Sequence, residues 1–259
     1  MRIGICTGIE NLDSAVAMGY DYVELPMNAF STLDKEEFNN VVGVIKRCPL
    51  RCEALNMFFP FGMKIVGATV DAGETREYII RMMGRAKALG AAIVVIGSGG
   101  ARSVPSGEDP SRILSQFSDI VRFMGDEAER ANMTMVLEPL NKKETNMVNS
   151  ISEGAELVRA LGHPRVALLA DFYHMRMNCE SLDRISEGGG ILKHAHIANG
   201  DGRAYPSERA EDKYDEFFSN LKLINYGGML SVEADPKGFA SGASKSLALM
   251  RKIALDHGL

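Results

Sequence analysis

The sequence contains few of the residues on which nucleic-acid sites, zinc fingers and disulfide-bonded domains depend. Tryptophan is absent, and the chain of 259 residues has only four cysteines and five histidines. Cys48 and Cys52 have a C-x3-C spacing, but no second Cys or His pair follows at zinc-finger distance. Lysine and arginine are scattered and the net charge is −5, whereas a nucleic-acid-binding protein normally presents a basic face. These absences argue against a zinc finger and against a nucleic-acid partner.

Long apolar runs are also missing. No segment approaches the roughly 20 consecutive apolar residues of a transmembrane helix, so we expect no membrane partner. The opening residues MRIGICTGIE break with glycine, threonine and glutamate before the apolar region of a signal peptide could form. We therefore expect a cytoplasmic protein whose cysteines stay reduced. Apolar residues make up 46% of the chain, which is enough for a core that needs no disulfide.

Short β-type segments alternate with helical patterns along the whole chain. Several segments, AAIVVIG and VALLA most clearly, are apolar on both faces, as parallel strands covered by helices are. Eight βα units in about 250 residues predict one TIM (β/α)8 barrel over residues 1–259. A doubly wound open sheet is the alternative, but no G-x-G-x-x-G motif follows the first strand. The predicted strands are 2–7, 22–27, 51–58, 91–97, 133–139, 165–172, 191–198 and 228–235.

The helical segments between these strands carry recognisable end signals. Thr32 is the predicted N-cap of the second helix, and Gly90 is the predicted stop of the third. Ser150 stands three residues before Glu153, which is the spacing of a capping box. These signals support the alternation of strands and helices on which the barrel prediction rests.

Ionisable residues stand at the ends of the last four predicted strands. Catalytic groups of a TIM barrel lie at this carboxyl-terminal end, where the βα loops open. The residues are Glu138 on strand five, Asp171 and His174 on strand six, His194 and His196 on strand seven, and Glu233 and Asp235 on strand eight. Taken singly, a strand-end glutamate is usually an ion-pair partner, Asp171 could cap the next helix, and His196 could be a hydrogen-bonded core histidine.

Taken together, these strand ends predict a metal site. Buried carboxylates cost several kcal/mol each unless they are paired, protonated or bound to a cation. Two glutamates, an aspartate and a histidine at one barrel mouth would repel each other without a divalent ion. Oxygen-rich ligation with one imidazole suits Mn²⁺ or Mg²⁺, with Co²⁺ or Zn²⁺ as further candidates.

The strand ends belong to four motifs that resemble those of a known family. The motifs are LEPLNKKETNMVN with Glu138, Asn141, Glu144 and Asn149; LLADFYHM with Asp171 and His174; HAHIANGDGRAYP with His194, His196, Arg203 and Pro206; and SVEAD with Glu233. Their order resembles that of the xylose-isomerase-like sugar isomerases and epimerases, which are TIM barrels. Within this superfamily the chain looks most like the ketose 3-epimerases of the D-tagatose/D-psicose type. The resemblance follows the whole chain in element order.

The resemblance implies a role for each residue of these motifs. The implied metal ligands are Glu138, Asp171, His196 and Glu233, with Mn²⁺ as the favoured ion. Glu138 and Glu233 would also exchange the substrate proton, and Glu144, His174 and Arg203 would bind the substrate. The implied reaction is epimerisation of a ketose at C3 through an enediolate.

Two positions depart from the pattern of the family. Lys142 and Lys143 stand where the family usually has an arginine and an aromatic residue, which puts the substrate wall in doubt. Arg203 follows the metal histidine by seven residues rather than six, which leaves its direction open.

Other functions remain open at this stage. An aldose–ketose or hydroxypyruvate-type isomerase, or an inosose-type dehydratase, would use the same metal site. A three-zinc endonuclease of the related DNA-repair type would need many more histidines than five. A carbohydrate-binding barrel without activity is a further class. The expected partner is a small sugar or sugar phosphate, and the chain could form a homo-oligomer.

Three segments outside the four motifs have two interpretations each. GSGGARSVPSGEDP, after strand four, is either a phosphate cradle or a flexible βα loop. NMFFPFGMKIVG, after strand three, is expected to expose its apolar side chains in a loop, which would serve as a lid or a dimer contact. Glu24, at the end of strand two, would either line the mouth or form a structural ion pair.

Overall fold

A computed structural model describes residues 1–259 and shows a closed barrel of eight parallel strands. Each strand pairs with the next along the chain, and the eighth pairs with the first. The strands are β1 (Arg2–Cys6), β2 (Tyr22–Pro26), β3 (Cys52–Asn56), β4 (Ile93–Ile96), β5 (Thr134–Leu137), β6 (Val166–Asp171), β7 (Leu192–Ile197) and β8 (Met229–Val232). The predicted TIM barrel is confirmed, and the open sheet is excluded.

Helices surround the barrel and occupy the connections between strands. The α-helices are α1 (Leu12–Met18), α2 (Lys35–Arg47), α3 (Ala72–Leu89), α4 (Gly99–Arg102), α5 (Pro110–Ala131), α6 (Ile151–Leu161), α7 (Phe172–Met177), α8 (Ile185–Gly188), α9 (Tyr214–Leu223) and α10 (Phe239–Asp256). Short 3-10 helices cover Ile9–Asn11, Met27–Phe30, Leu182–Arg184, Gly189–Ile191, Arg209–Glu211 and Pro236–Gly238. No helix combines the length and the apolar character needed to cross a membrane.

Side-chain caps fix where several helices begin. Asp34, not Thr32, caps α2, and its carboxylate accepts hydrogen bonds from the backbone N–H groups of Glu36 and Glu37. The carboxylate of Glu37 in turn accepts a hydrogen bond from the Asp34 N–H. Ser150 caps α6 as predicted and accepts from the Glu153 N–H. The Thr32 prediction was wrong because a carboxylate two residues later completes a full capping box.

The apolar core consists of two layers separated by the strands. The outer layer fills the space between the strands and the helices, and includes Ile5, Leu25, Leu55, Val94 and Leu137. The inner layer lies inside the barrel and comprises Tyr22, Ala54, Ile93, Val95, Val136, Ala167 and Leu169. Alternate residues of each strand face opposite sides, and strands β2 to β6 contribute apolar residues to both layers. The barrel interior is therefore packed, and it gives the residues above it a rigid floor.

The loop after β3 is less exposed than its sequence suggests. Phe58 and Phe59 are buried and contact each other and Tyr78, whereas Phe61 at the tip is 87% exposed. The expectation of an apolar surface over the whole segment is therefore wrong for its first two phenylalanines. They are core residues that tie the loop to α3.

Candidate metal centre

The candidate site is the next inward-facing layer above the apolar floor of the barrel. Because side chains alternate along a strand, the residue two positions after each inward apolar residue also points inside. The residues that follow Tyr22, Ala54, Val95, Val136 and Leu169 in this way are Glu24, Asn56, Gly97, Glu138 and Asp171. On β7 and just past β8, His196 and Glu233 lie two residues after His194 and Ser231. Along β2, β3, β5 and β6, the inward-facing side chains thus change from apolar to polar between one inward position and the next.

Four of the predicted site residues converge on one point. Glu138, Asp171, His196 and Glu233 each present one ligand atom, and these atoms all lie within 4.8 Å of one another. The Nδ1 atom of His196 lies 3.2 Å from a carboxylate oxygen of Glu138 and 3.2 Å from one of Glu233. His196, Asp171 and Glu138 are buried, and Glu233 is partly buried.

Glu24 fixes the orientation of the His196 ring through a hydrogen bond on the side away from the cavity. Its carboxylate is fully buried and lies 3.0 Å from Nε2 of His196 and 2.8 Å from Nε2 of His194. Ser231 Oγ donates a further hydrogen bond of 2.6 Å to the same carboxylate. A carboxylate that accepts the Nε2 proton of an imidazole leaves Nδ1 facing the cluster, as in the carboxylate–histidine pairs of metal sites. Of its two sequence-based interpretations, Glu24 therefore fits the buried ion pair and does not line the mouth.

The two carboxylate oxygens of Asp171 have different surroundings: one caps a helix and the other faces the cluster. Oδ1 accepts the backbone N–H of Tyr173 at 2.7 Å and so caps α7. Oδ2 is buried and has no hydrogen-bond partner, although it faces the cluster. An unpartnered buried carboxylate oxygen is costly in a folded protein unless a cation compensates it.

The donor set fits a divalent cation. The carboxylates of Glu138 and Glu233 both face Nδ1 of His196, which they can do when Nδ1 carries a proton. A metal ion bound to Nδ1 would take the place of that proton. Asp171 Oδ2 would supply the fourth ligand atom. Three carboxylates and one imidazole favour ions that accept oxygen-rich ligation, with Mn²⁺ among them.

The pKa values of the carboxyl groups in the cluster shift in different directions. Burial raises the pKa of Asp171 to about 6, because Arg203 offsets only part of the lost solvation. Burial also raises the pKa of Glu138. Burial acts the same way on Glu233, but Arg203 and His196 outweigh it and hold the pKa of Glu233 well below its usual range. The cluster therefore lacks positive charge chiefly around Asp171 and Glu138.

His174 presents a hydrogen-bond donor to the cavity. Its Nδ1 faces the backbone N–H of Asn141 at 3.2 Å and the Asn141 side-chain amide at 2.8 Å. Nδ1 is therefore the acceptor, and the ring proton is on Nε2, which lies 3.4 Å from Asp171 and 4.0 Å from Glu138. Burial lowers the pKa of His174, so the ring is neutral at pH 7. A neutral N–H donor beside two carboxylates can bind an oxygen of a ligand.

Arg203 reaches the cluster despite its altered spacing. Its guanidinium pairs with the carboxylate of Glu233 and lies 3.7 Å from Asp171 and 3.9 Å from Glu144. The side chain stacks over the ring of Tyr173, with 4.9 Å between the guanidinium carbon and the ring centre. The backbone of Arg203 has φ +53°, and the Asp235 N–H donates to its carbonyl at 2.8 Å. The turn thus absorbs the extra residue before the arginine.

The loop after β5 contributes Glu144 but neither lysine. Glu144 lines the cavity and accepts a hydrogen bond of 2.9 Å from Asn141. Lys142 and Lys143 are exposed and do not line it. Asn149 donates to the carbonyls of Leu140 and Thr145 and so shapes the loop from behind. Neither lysine therefore forms part of this wall of the cavity.

The glycine-rich segment after β4 supports Glu138. A Cβ at Gly97 would collide with the Glu138 carboxylate, and one at Gly99 would lie 2.7 Å from the Glu144 carbonyl oxygen. The guanidinium of Arg102, which is fully buried, donates to the carbonyls of Ile96 and Glu138 at 3.2 and 2.7 Å. The first part of the segment, which includes α4, packs against the loop after β5, and the remainder is an irregular βα loop. Its use as a phosphate cradle stays a prediction.

Asn56, at the end of β3, is a site residue that the sequence interpretation missed. Its amide donates to Glu233 at 2.7 Å, and its carbonyl oxygen is buried without a partner. Asn56 also lines the cavity. The available signal was its position, because it is the polar residue at the carboxyl-terminal end of β3.

A cavity of about 1230 Å³ opens above the cluster. Glu138, Glu144, His174, Arg203 and Glu233 line one part of it. The rest of the lining comes from the loops after β1 to β5 and after β8, and from Val41 of α2. Both proposed acid–base glutamates and all three proposed substrate-binding residues therefore face one space.

A family model described as a xylose isomerase-like TIM barrel matches residues 12–253. The chain belongs to this family. The resemblance drawn from the four motifs is thereby confirmed, and the family's other members provide the context for the site.

Two curated members of the xylose isomerase-like family are similar in sequence. The 2-oxo-tetronate isomerase of Pectobacterium atrosepticum is 28% identical over 138 residues, which are 52% of this chain and 52% of that protein. The 3-dehydro-D-guloside 4-epimerase of Escherichia coli is 27% identical over 117 residues, 45% of this chain and 44% of that protein. The matched stretches span about half the length of these relatives.

The fold of this family member is also found in solved structures. The D-psicose 3-epimerase of Clostridium cellulolyticum H10, solved with D-tagatose, superposes with a TM-score of 0.85 over 98% of this chain and 99% of that one. The two sequences are 17% identical, so this likeness concerns the fold. By their names, these similar proteins are sugar isomerases and epimerases.

Proposed function

We propose that this protein is a metal-dependent sugar epimerase that removes the proton beside a ketose carbonyl and returns it to the opposite face. The observation that carries the proposal is the convergence of Glu138 and Glu233 from two well-separated strands onto one imidazole and one cavity. Two carboxyl groups at one reacting carbon are what a two-base proton exchange requires.

The proposed ligands are Glu138, Asp171, His196 and Glu233, and the proposed ion is Mn²⁺. When bound, the ion would supply positive charge beside the substrate oxygens on which negative charge develops. The unpartnered Oδ2 of Asp171 and the inward Nδ1 of His196 support this assignment.

The proton transfers fall to the two glutamates. One carboxylate takes the proton from C3, and the electron pair of the broken C–H bond moves towards the C2 carbonyl oxygen to give an enediolate. The other carboxyl group returns a proton to the opposite face of C3. General acid–base catalysis of this kind contributes roughly 10²–10⁴-fold per group.

Three further side chains would hold the substrate. His174 would donate its Nε2 proton to a substrate oxygen, because its Nδ1 is already engaged by Asn141. Arg203 would keep Glu233 ionised through their ion pair and would face the carbonyl region. Glu144 would accept a hydrogen bond from a hydroxyl group further from the reacting carbon.

Solvent exchange at carbon tests this proposal. A panel of ketoses is incubated with the Mn²⁺-loaded protein in D₂O, and deuterium at each carbon is followed by NMR. We expect incorporation at C3 by the wild type and its loss in Glu138→Gln and Glu233→Gln. Glu53→Gln serves as the control, because Glu53 pairs with Arg2 near the start of its strand and does not line the cavity.

The same spectra distinguish the alternatives. Deuterium at C1 would indicate an aldose–ketose isomerase, and loss of a hydroxyl group would indicate a dehydratase. Exchange at the wild-type rate in either glutamate variant would contradict the two-glutamate scheme.

A further inference from the structure

The two oxygens of the Glu233 carboxylate have different partners. Oε2 belongs to the ligand cluster, because it pairs with Arg203 and lies 3.2 Å from Nδ1 of His196. Oε1 instead accepts a hydrogen bond of 2.7 Å from the side-chain amide of Asn56. The proposed function requires Glu233 both to bind the ion and to move a proton. The structure offers a separate oxygen for each of these tasks.

Asn56 reaches Glu233 from another part of the barrel. It ends β3, and the strands β1 and β2 lie between β3 and β8. Both residues line the cavity, so their hydrogen bond lies at its edge. A carboxylate oxygen only accepts hydrogen bonds, so the amide turns its N–H group towards Glu233 and its carbonyl oxygen away. The bond therefore fixes the amide of Asn56 and Oε1 of Glu233 in one arrangement.

The carbonyl end of the Asn56 amide indicates that the residue is present for this one bond. Its Oδ1 atom is buried and has no hydrogen-bond partner, and such an atom destabilises a fold. An apolar side chain would avoid this cost, but it would leave Oε1 of Glu233 without a donor. Positions that break a local rule in this way are commonly functional. Asn56 is therefore better explained by its contact with Glu233 than by packing.

Glu138, the other proposed acid–base group, has no corresponding donor. Its Oε1 atom faces Nδ1 of His196, and its Oε2 atom lies where a Cβ at Gly97 would stand. The missing side chain of Gly97 gives Oε2 room but no hydrogen bond. The two glutamates therefore differ, because only Glu233 has its second oxygen held by a neutral donor.

We propose that Asn56 is a positioning residue that holds Oε1 of Glu233 beside the substrate and leaves Oε2 to the metal ion. This inference rests on the proposed proton exchange and adds a residue to it. Without Asn56, the carboxylate of Glu233 is free to turn both oxygens towards the ion. The oxygen that takes or returns the substrate proton then loses its fixed place, and a misplaced catalytic group is slow.

Asn56→Leu tests this role, because leucine keeps a branched side chain and removes the amide. With the Mn²⁺-loaded protein, we expect kcat for deuterium exchange at C3 of a ketose to fall by about tenfold to a hundredfold, the range for one hydrogen bond to a charged group. KM should stay within about twofold, since the lost contact acts on the proton transfer. Calorimetric titration should show a Mn²⁺ affinity equal to or tighter than that of the wild type, because Oε1 becomes available to the ion.

Asn220→Leu is the matched control. Asn220 lies on α9 outside the cavity, and its side-chain amide donates to the carbonyl of Glu216. This variant should keep the kcat, the KM and the Mn²⁺ affinity of the wild type. If Asn56→Leu does not fold, Asn56→Ala removes the same hydrogen bond with a smaller side chain, and the same results are expected of it.

A double-mutant cycle shows whether Asn56 acts through Glu233. Glu233→Asp withdraws the carboxylate by one carbon from Asn56, so in this background Asn56→Leu should change kcat by less than about twofold. In the Glu138→Asp background Asn56→Leu should keep its full effect, because Asn56 makes no hydrogen bond to Glu138. Equal effects of Asn56→Leu in the two backgrounds would overturn the assigned role.

The outcomes separate this inference from the proposed function. A wild-type kcat in Asn56→Leu would overturn the inference and leave the proton exchange standing. A Mn²⁺ affinity that falls by the same factor as kcat would also overturn it, and would indicate that Asn56 only supports the ligand cluster. If the wild type exchanges no ketose, the proposed function fails and the metal titration decides. A weaker Mn²⁺ affinity in Asn56→Leu then counts against the separate use of the two oxygens, and an equal or tighter one supports it.

Discussion

The carboxylate of Glu24 lies between two imidazoles and belongs to neither the cavity nor the proposed ligand set. Burial disfavours its charge, yet the charges of His196 and His194 hold its pKa well below the usual range. Its role is to fix the ring of His196 so that Nδ1 faces the cluster. A residue that does not line the cavity thus orients the donor atom that the proposed metal would use.

Replacing Glu24 by Gln should weaken metal binding without removing a ligand. The neutral amide is a poorer partner for the Nε2–H of His196, and loss of such supporting groups typically costs 10–100-fold in metal affinity. Calorimetric titration with Mn²⁺ measures this change. Glu53→Gln again provides the control, and unchanged affinity in a folded Glu24→Gln protein would show that His196 is oriented by other contacts.

Single residues could be predicted from the sequence where their position at a strand end and the resemblance of their motif agreed. Glu138, Asp171, His196 and Glu233 meet both conditions, and the alternation of strand side chains brings them together. Whether they bind a metal is a prediction that a metal measurement must decide. The contacts of Glu24 and Asn56 depend on registers between strands far apart in sequence, so no local pattern specified them.

Among the elements, the short helix α4 and the end of β5 form one unit held by Arg102. Its guanidinium donates to the carbonyls of Ile96 and Glu138, and lies over the ring of Phe117. Burial lowers the pKa of Arg102 to about 10, so the side chain is still charged at neutral pH. The strand end that carries Glu138 is therefore anchored from outside the cavity.

Loss of the Arg102 guanidinium should destabilise the protein markedly. Arg102→Met would leave the buried Glu138 carbonyl without its donor, whereas the Ile96 carbonyl would keep the bond from the Glu138 N–H. An unsatisfied buried group costs about 1–3 kcal/mol, so we expect the free energy of unfolding to fall by about 2–3 kcal/mol in a urea titration. Arg122→Met, which removes a single bond to the Leu161 carbonyl, should cost about 1 kcal/mol or less. Equal losses in the two variants would contradict the anchoring role.

Local sequence patterns predict the strands but do not predict which loop residues are buried. All eight strands were predictable because each combines β-type apolar residues with a following helix. The short helix α4 within the glycine-rich segment after β4 could not be predicted, because the burial of Arg102 cannot be read from neighbouring residues. Phe58 and Phe59 were expected at the surface for the same reason, since their partner Tyr78 lies on α3, twenty residues away.

For the molecule as a whole, the metal-free cluster is a source of instability that depends on pH. The pKa of Asp171 is raised to about 6 in the fold, above its ordinary value of 3.8. As pH rises between these two values, the unfolded chain gives up this proton first, so the metal-free fold loses stability across this window. Above about pH 6, Asp171 is ionised in the fold, and its buried charge keeps the free energy of unfolding lower.

Addition of Mn²⁺ should stabilise the protein, and more so at pH 7.5 than at pH 5. Binding at a hundredfold excess over Kd contributes about 2.7 kcal/mol, which corresponds to roughly 5–10 °C in Tm for a chain of this size. At pH 5 protons compete for Asp171, and the gain should shrink. Calorimetric scans with Mn²⁺ or with a chelator measure it. Asp171→Asn should abolish most of the gain, and a Tm indifferent to metal at both pH values would argue against the site.

The acidic cluster and the loops after β1, β2 and β3 that line the same cavity lie on opposite halves of the barrel. Mutations in the loops after β1, β2 and β3 can therefore reshape the space beside the reacting carbon while the carboxylates on the later strands keep their places. A gene duplicate of such a protein has an open route to new substrates through changes in a few loop codons. Laboratory evolution of this scaffold should accordingly begin in its amino-terminal half.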